Sequence, residues 1–169
     1  MMKRRKFIVF AATLGLAACG EPGQLLDASI ASGIRITEVT ASTSVTRTET
    51  AVPKEQIVEA ARTKVAQALS SGNPGGPRAV RADVKVTQFY IANAVAGALL
   101  GSSSSSINTV ITLVDAQTGE VIKEPFTVFG VTEPRPTILG AAAIKSPEEE
   151  LAIITTDLAR RARIAVYGN

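Results

Sequence analysis

From residue 80 the chain alternates: Val80, Ala82, Val84 and Val86 are separated by Arg81, Asp83 and Lys85. A period of two of this kind places one face of a strand in a core and the other in water. Upstream, residues 34–45 are rich in threonine and β-branched side chains, as a strand prefers. Between them the period changes. Ile57, Ala61, Val65 and Leu69 fall on one face of a helix that opens after Pro53 and ends in the Ser/Gly/Pro-rich run 70–77. Two further strands, 107–114 and 120–131, flank Asp115-Ala-Gln-Thr-Gly119, a short polar connection that reads as a hairpin turn. The last helix has the best start signal. Ser146-Pro147-Glu148-Glu149 sets an N-cap serine, an N1 proline and an N3 glutamate in register, followed by the stripe Leu151, Ile154, Leu158, Ala162. The order β-α-β-β-β-α predicts one α+β domain over residues 33–169. Its expected form is a two-layer sandwich, with a mixed, mostly antiparallel sheet and both helices on one face.

Two stretches do not fit this scheme. Ile91–Gly101, which leads into the serines 102–106, and Thr137–Ile144 are apolar and rich in small residues, yet lie in connections where polar residues are the rule. One reading packs each as a short turn against the edge of the core. A second exposes Val95, Leu99, Leu100, Ile138 and Leu139 as a patch for a partner protein. A third dips them into a membrane or builds a small oligomeric pore. The serine run reads as flexible linker.

The first residues carry an address. The basic run Lys3-Arg4-Arg5-Lys6 precedes an apolar run, 7–16, that is too short to span a bilayer, and then Ala17-Ala18-Cys19. Leu16-Ala17-Ala18-Cys19 resembles the lipobox of bacterial lipoprotein precursors. The resemblance implies a signal peptide over residues 1–18, cleavage before Cys19, and a diacylglyceryl group and an N-acyl chain on Cys19. Residues 19–32 then read as a lipid-anchored tether, with Gly and Pro at its lipid end. Arg4-Arg5-Lys6-Phe7-Ile8 also resembles a twin-arginine export signal, although any basic run of this kind serves the general secretory route. Gly20 stands after Cys19 where no aspartate is present, which by resemblance to enterobacterial sorting rules implies the outer membrane, facing the periplasm.

This boundary changes the charge. Of 18 Lys+Arg, four lie in the signal, so the remaining 151 residues hold 14 against 15 Asp+Glu, and the formal balance moves from +3 to −1. With no basic excess and few aromatics, nucleic-acid binding is not expected. There is no histidine and no second cysteine, which removes the commonest metal ligand and general base and any disulfide. Asp115 and Glu120 read as a turn acceptor and an exposed strand residue, and no metal or other cofactor is expected. Arg160, Arg161 and Arg163 read as complements to a helix dipole. No Ser-x-x-Lys pattern follows Cys19, and the glycine-rich stretches match neither dinucleotide nor P-loop spacing. Paired carboxylates for glycoside hydrolysis are not decided by spacing.

The layout also resembles small envelope lipoproteins catalogued as domains of unknown function: a lipobox, an α+β domain, a Gly/Ala/Ser-rich loop, then Val-Asp-Ala-Gln-Thr-Gly-Glu-Val in a hairpin. That resemblance implies an accessory role. The sequence is thus read as a lipid-anchored, non-catalytic envelope module that binds an envelope protein or itself. Two alternatives stay open: an oligomeric or membrane-inserting component that uses the apolar loops 91–101 and 137–144, and a cell-wall-acting enzyme.

Overall fold

The computed structural model describes residues 23–46, 50–93, 104–133 and 143–169. Along the chain run α1 (Ala28–Gly33), β1 (Ile34–Thr43), α2 (Lys54–Ser70), β2 (Arg78–Tyr90), β3 (Ser106–Asp115), β4 (Val121–Val131) and α3 (Pro147–Tyr167). The four strands form one sheet in the order β1-β2-β3-β4. The β1/β2 pair is parallel because α2 carries the chain back, and the two later pairs are antiparallel. The α+β sandwich expected from the pattern is therefore present, with one added helix, α1.

The alternation in β2 does what its period requires. Val80, Ala82, Val84 and Val86 are buried, together with Ile107, Ile111 and Leu113 of β3. They meet Ile57, Ala61, Val65 and Leu69 of α2 and Ile154, Leu158, Ala162 and Ala165 of α3 in one core. Burying each large aliphatic side chain of this kind is worth about 1.5–3 kcal/mol. The packing is closest at Gly130 of β4, where a Cβ would run into the Ile154 carbonyl oxygen of α3. The other sheet face is polar. On it Thr40 Oγ1 and Arg81 Nε donate to Asp83 Oδ1 at 2.8 and 2.7 Å.

Both sheet edges are interrupted. The register of β1 slips between Ile36 and Glu38. In β4, Ile111 faces Phe126 and Leu113 faces Lys123, so Thr112 alone stands opposite Glu124 and Pro125. Such a bulge, with a proline that has no N–H to offer, is how edge strands resist further pairing.

The start of the described chain is tied down. Leu25 N–H donates to the Ala165 carbonyl (2.7 Å), Gln24 Nε2 to that of Val166 (3.3 Å), and Leu26 and Ala31 are buried. Residues 24–32, read from sequence as tether, thus lie against the C-terminal end of α3. Their partners are far along the chain, beyond the reach of local pattern.

The molecule therefore has two poles. One holds the C-terminal end of α3, residue 24, the 71–77 turn and the 115–121 hairpin; Asn73 Nδ2 donates to the Ile34 carbonyl (3.0 Å) and Arg78 pairs with Asp115 there. The other holds the N-terminal end of α3. From this second pole leave the connections 44–53, 91–105 and 132–146. The α3 helix, with 21 residues, separates the poles by about 30 Å.

Candidate functional site

The N-terminal pole of α3 is built around a buried acid. Ser146 caps the helix as the sequence predicts: its hydroxyl accepts from Glu149 N–H (3.3 Å), and Glu149 Oε2 accepts from Ser146 N–H (3.1 Å). That backbone donor, and then the Ser146 hydroxyl, hold the Glu149 carboxyl below the usual carboxylate range. The cap fixes the first turn, and the next residue, Glu150, points inward with no solvent exposure. Ser105 Oγ donates to Glu150 Oε2 at 2.7 Å, and Lys145 N–H donates to Glu150 Oε1 at 3.1 Å. The same Ser105 hydroxyl accepts from Ala92 N–H at 2.9 Å. Ser105 and Thr132 then join reciprocally: Ser105 N–H donates to Thr132 Oγ1 (2.8 Å), and Thr132 N–H to the Ser105 carbonyl (3.0 Å).

Ala92, Ser105, Thr132 and Lys145 are residues at which the two apolar connections leave and rejoin the fold. The Glu150 carboxylate, the hydroxyls of Ser105 and Thr132 and the Ser105 backbone tie all four together. A buried polar network is stable only when its members are satisfied, and here the donors come from four separate segments of the chain. Ser105, read from sequence as part of a flexible serine linker, is instead buried. Sequence reasoning also passed over Glu150, although a signal was present: it stands four residues before Ile154 and eight before Leu158, on the apolar stripe.

Two clefts flank the first half of α3. One, of about 490 Å³, lies between Val131, Ala152, Ile153 and Thr156 with Asp157 and Arg160 on its rim. The other, of about 380 Å³, lies between α2 and α3 over Ala60, Leu151, Ala152 and Thr155, rimmed by Glu59 and Glu148. Exposed Ala152 is the ridge shared by both. Beside the first cleft, burial works to raise the Asp157 pKa. The Arg160 and Arg161 guanidiniums, at 2.8 and 2.7 Å, and Val131 N–H outweigh it and hold the carboxyl below its ordinary value. Arg161 also lies 4.5 Å from the Phe129 ring centroid, within cation–π range.

That geometry corrects the dipole reading of the arginines. The last turn of α3 contains no basic residue, and dipole interactions fade within one turn. Arg160 and Arg161 face Asp157, one turn earlier in the helix. Asp115 is the turn acceptor expected: its Oδ1 accepts from Gln117 N–H and Thr118 N–H, both at 2.8 Å, while Arg78 Nε donates to Oδ2 at 2.6 Å. Arg78 reaches Glu120 at 3.4 Å, so this pair is cross-linked by a cation from a neighbouring strand. Among the described residues there is no group of three or more His, Cys, Asp or Glu side chains placed to hold a metal ion. No helix among them is long and apolar enough to cross a membrane. Cys19, Val95, Leu99, Leu100, Ile138 and Leu139 lie outside the described residues.

No protein-family model and no curated protein matches the chain. Solved structures with similarity to it include a candidate lipoprotein of Caulobacter crescentus at 15% identity and a TM-score of 0.38, covering 80% of this chain and 88% of that one. A single-residue variant of the PelC dodecamer from Paraburkholderia phytofirmans aligns at 15% identity and a TM-score of 0.40, over 86% and 95%. A minor lipoprotein of Acinetobacter baumannii aligns at 11% identity and a TM-score of 0.38, over 75% and 88%. At these scores the likeness carries no argument about function.

Proposed function

We propose that this chain is a lipid-anchored, non-catalytic module of the bacterial envelope, held at the outer membrane and facing the periplasm, which binds a protein partner at the N-terminal pole of α3. The anchor rests on the residues Leu16-Ala17-Ala18-Cys19 and on the signal-like run before them. Acyl chains on Cys19 fix the module to one leaflet and raise its concentration near partners.

One observation carries the choice of pole. The roots of both apolar connections meet at the Ser105–Glu150 pair, so the two segments leave the fold side by side, next to the clefts that share Ala152. Val95, Leu99, Leu100, Ile138 and Leu139 belong to these segments and complete the proposed interface.

The test has two arms in cells. Cys19→Ala is expected to move the protein from the membrane fraction to the soluble fraction; retention in the membrane would count against the anchor. Photo-crosslinking groups at Glu133 and Ala152 are expected to give a discrete adduct that the same group at Ser71, on the opposite pole, does not. Adducts of equal yield from both poles would count against the interface.

A further inference from the structure

We infer that the Ser105–Glu150 pair makes the roots of the two apolar connections one cooperative unit. Ala92, Ser105, Thr132 and Lys145 come undone and re-form together, while the sheet and core beneath them stay closed.

The strand ladders stop short of these residues. The last β2/β3 pair is Tyr90 with Ser106, and the β3/β4 ladder begins at Ser106 and Val131. Ala92, Ser105 and Thr132 lie just beyond, and Lys145 precedes the N-cap of α3. Their amides donate within the network instead. Ala92 N–H reaches Ser105 Oγ, Ser105 N–H reaches Thr132 Oγ1, and Thr132 N–H reaches the Ser105 carbonyl. Lys145 N–H reaches Glu150 Oε1, and the Ser105 hydroxyl on Oε2 joins it to the rest.

Burial turns this wiring into linkage. Ser105, Thr132 and Glu150 are all buried, so a group that loses its partner in the closed form has no water to replace it. If Ser105 withdraws, Ala92 N–H loses its acceptor, Thr132 loses a donor and an acceptor, and Glu150 loses a donor. An opening that admits water to all of them at once strands none, and is therefore the least unfavourable one.

The unit is also separable from the fold. Its opening breaks no rung of either ladder. The first turn of α3 is held independently by the capping box between Ser146 and Glu149. Openings confined in this way lie below global unfolding in free energy. For the interface proposed above, and resting on that reading, the consequence is coupling between its halves. A partner that holds one connection stiffens the roots of the other, and the effect is reciprocal.

Native-state amide exchange tests the unit in the free protein, using the full chain as cells process it, read by NMR at rising urea below the unfolding transition. The Ala92, Ser105, Thr132 and Lys145 amides are expected to follow one isotherm. It should lie at faster exchange, with a shallower urea dependence, than that of Val84 and Ile111, which face each other mid-sheet. Ser105→Ala is expected to speed exchange about tenfold or more at Ala92, Thr132 and Lys145. Lys145 is the telling position, because its amide bonds Glu150 and not Ser105. The Gln117 and Thr118 amides, held by Asp115 at the opposite pole, should keep their rates. Four separate isotherms, or one that coincides with the mid-sheet amides, overturns the unit, as does acceleration confined to Ala92. Should the variant not fold, the isotherms of the native chain decide alone. The crosslinking described above reads partner capture separately: adducts of equal yield from both poles remove the interface and leave the unit standing.

Discussion

Ser105 and Glu150, 45 positions apart in sequence, meet through a 2.7 Å hydrogen bond in a site that excludes solvent from both. In this bond one hydroxyl both accepts from Ala92 N–H and donates to the carboxylate. Removing the Ser105 hydroxyl takes this acceptor from Ala92 N–H and one donor from the Glu150 carboxylate, both buried. Ser105→Ala is expected to cost about 1–3 kcal/mol, read as a lower midpoint of urea unfolding with an unchanged slope. Ser104→Ala, one residue earlier and only half-buried, serves as the control. Equal midpoints for the two variants would show that the network contributes nothing.

The opposite pole depends on Asp115. Arg78 first, then the amides of Thr118 and Gln117, hold its carboxyl well below the usual range. A carboxyl with a depressed folded-state pKa contributes its full stabilisation above the unfolded value, about 4, and loses it as the pH falls from there toward the folded value. The stability gap between the native chain and Asp115→Asn should therefore stay level from neutral pH down to about pH 5, then close on further acidification. Urea titrations of both proteins across that range measure the gap. A gap that widened in acid would reverse the sign and remove Asp115 as its source.

Gly130 is where α3 and the sheet come closest. A methyl group there meets the Ile154 carbonyl oxygen and the Leu158 backbone nitrogen, which belong to a helix that cannot yield locally. Gly130→Ala is expected to lower stability by about 1–3 kcal/mol through overpacking. Gly75→Ala, with no atom near its added Cβ, is not. Thermal unfolding of the two variants side by side decides the matter, and matching melting temperatures would contradict the close approach.

Much of this architecture was legible because its determinants are local. The alternation at Val80–Val86, the capping box at Ser146–Glu149 and the acceptor role of Asp115 are each written within a few residues. Features that need a distant partner were not. The six-residue α1 has no side-chain cap, and its approach depends on contacts with residues 165 and 166. Local pattern alone therefore reads its stretch as tether. Ser105 looked like one of five equivalent serines until Glu150 and Thr132 singled it out. Arg78 lies 37 residues before Asp115, and only the fold reveals that it braces the hairpin. The segments of the proposed interface stand out in the sequence by their apolar composition. That its two halves share one root became visible only when the strands were in register.

The interrupted edges have a consequence for molecules crowded together. A smooth free strand would let each copy template the next, and a dense layer of them would zip into a continuous ribbon. With the slip at Glu38 on one side and Pro125 on the other, neither margin offers an unbroken row of donors and acceptors. Backbone pairing between crowded copies would thus break off within a few residues on either margin.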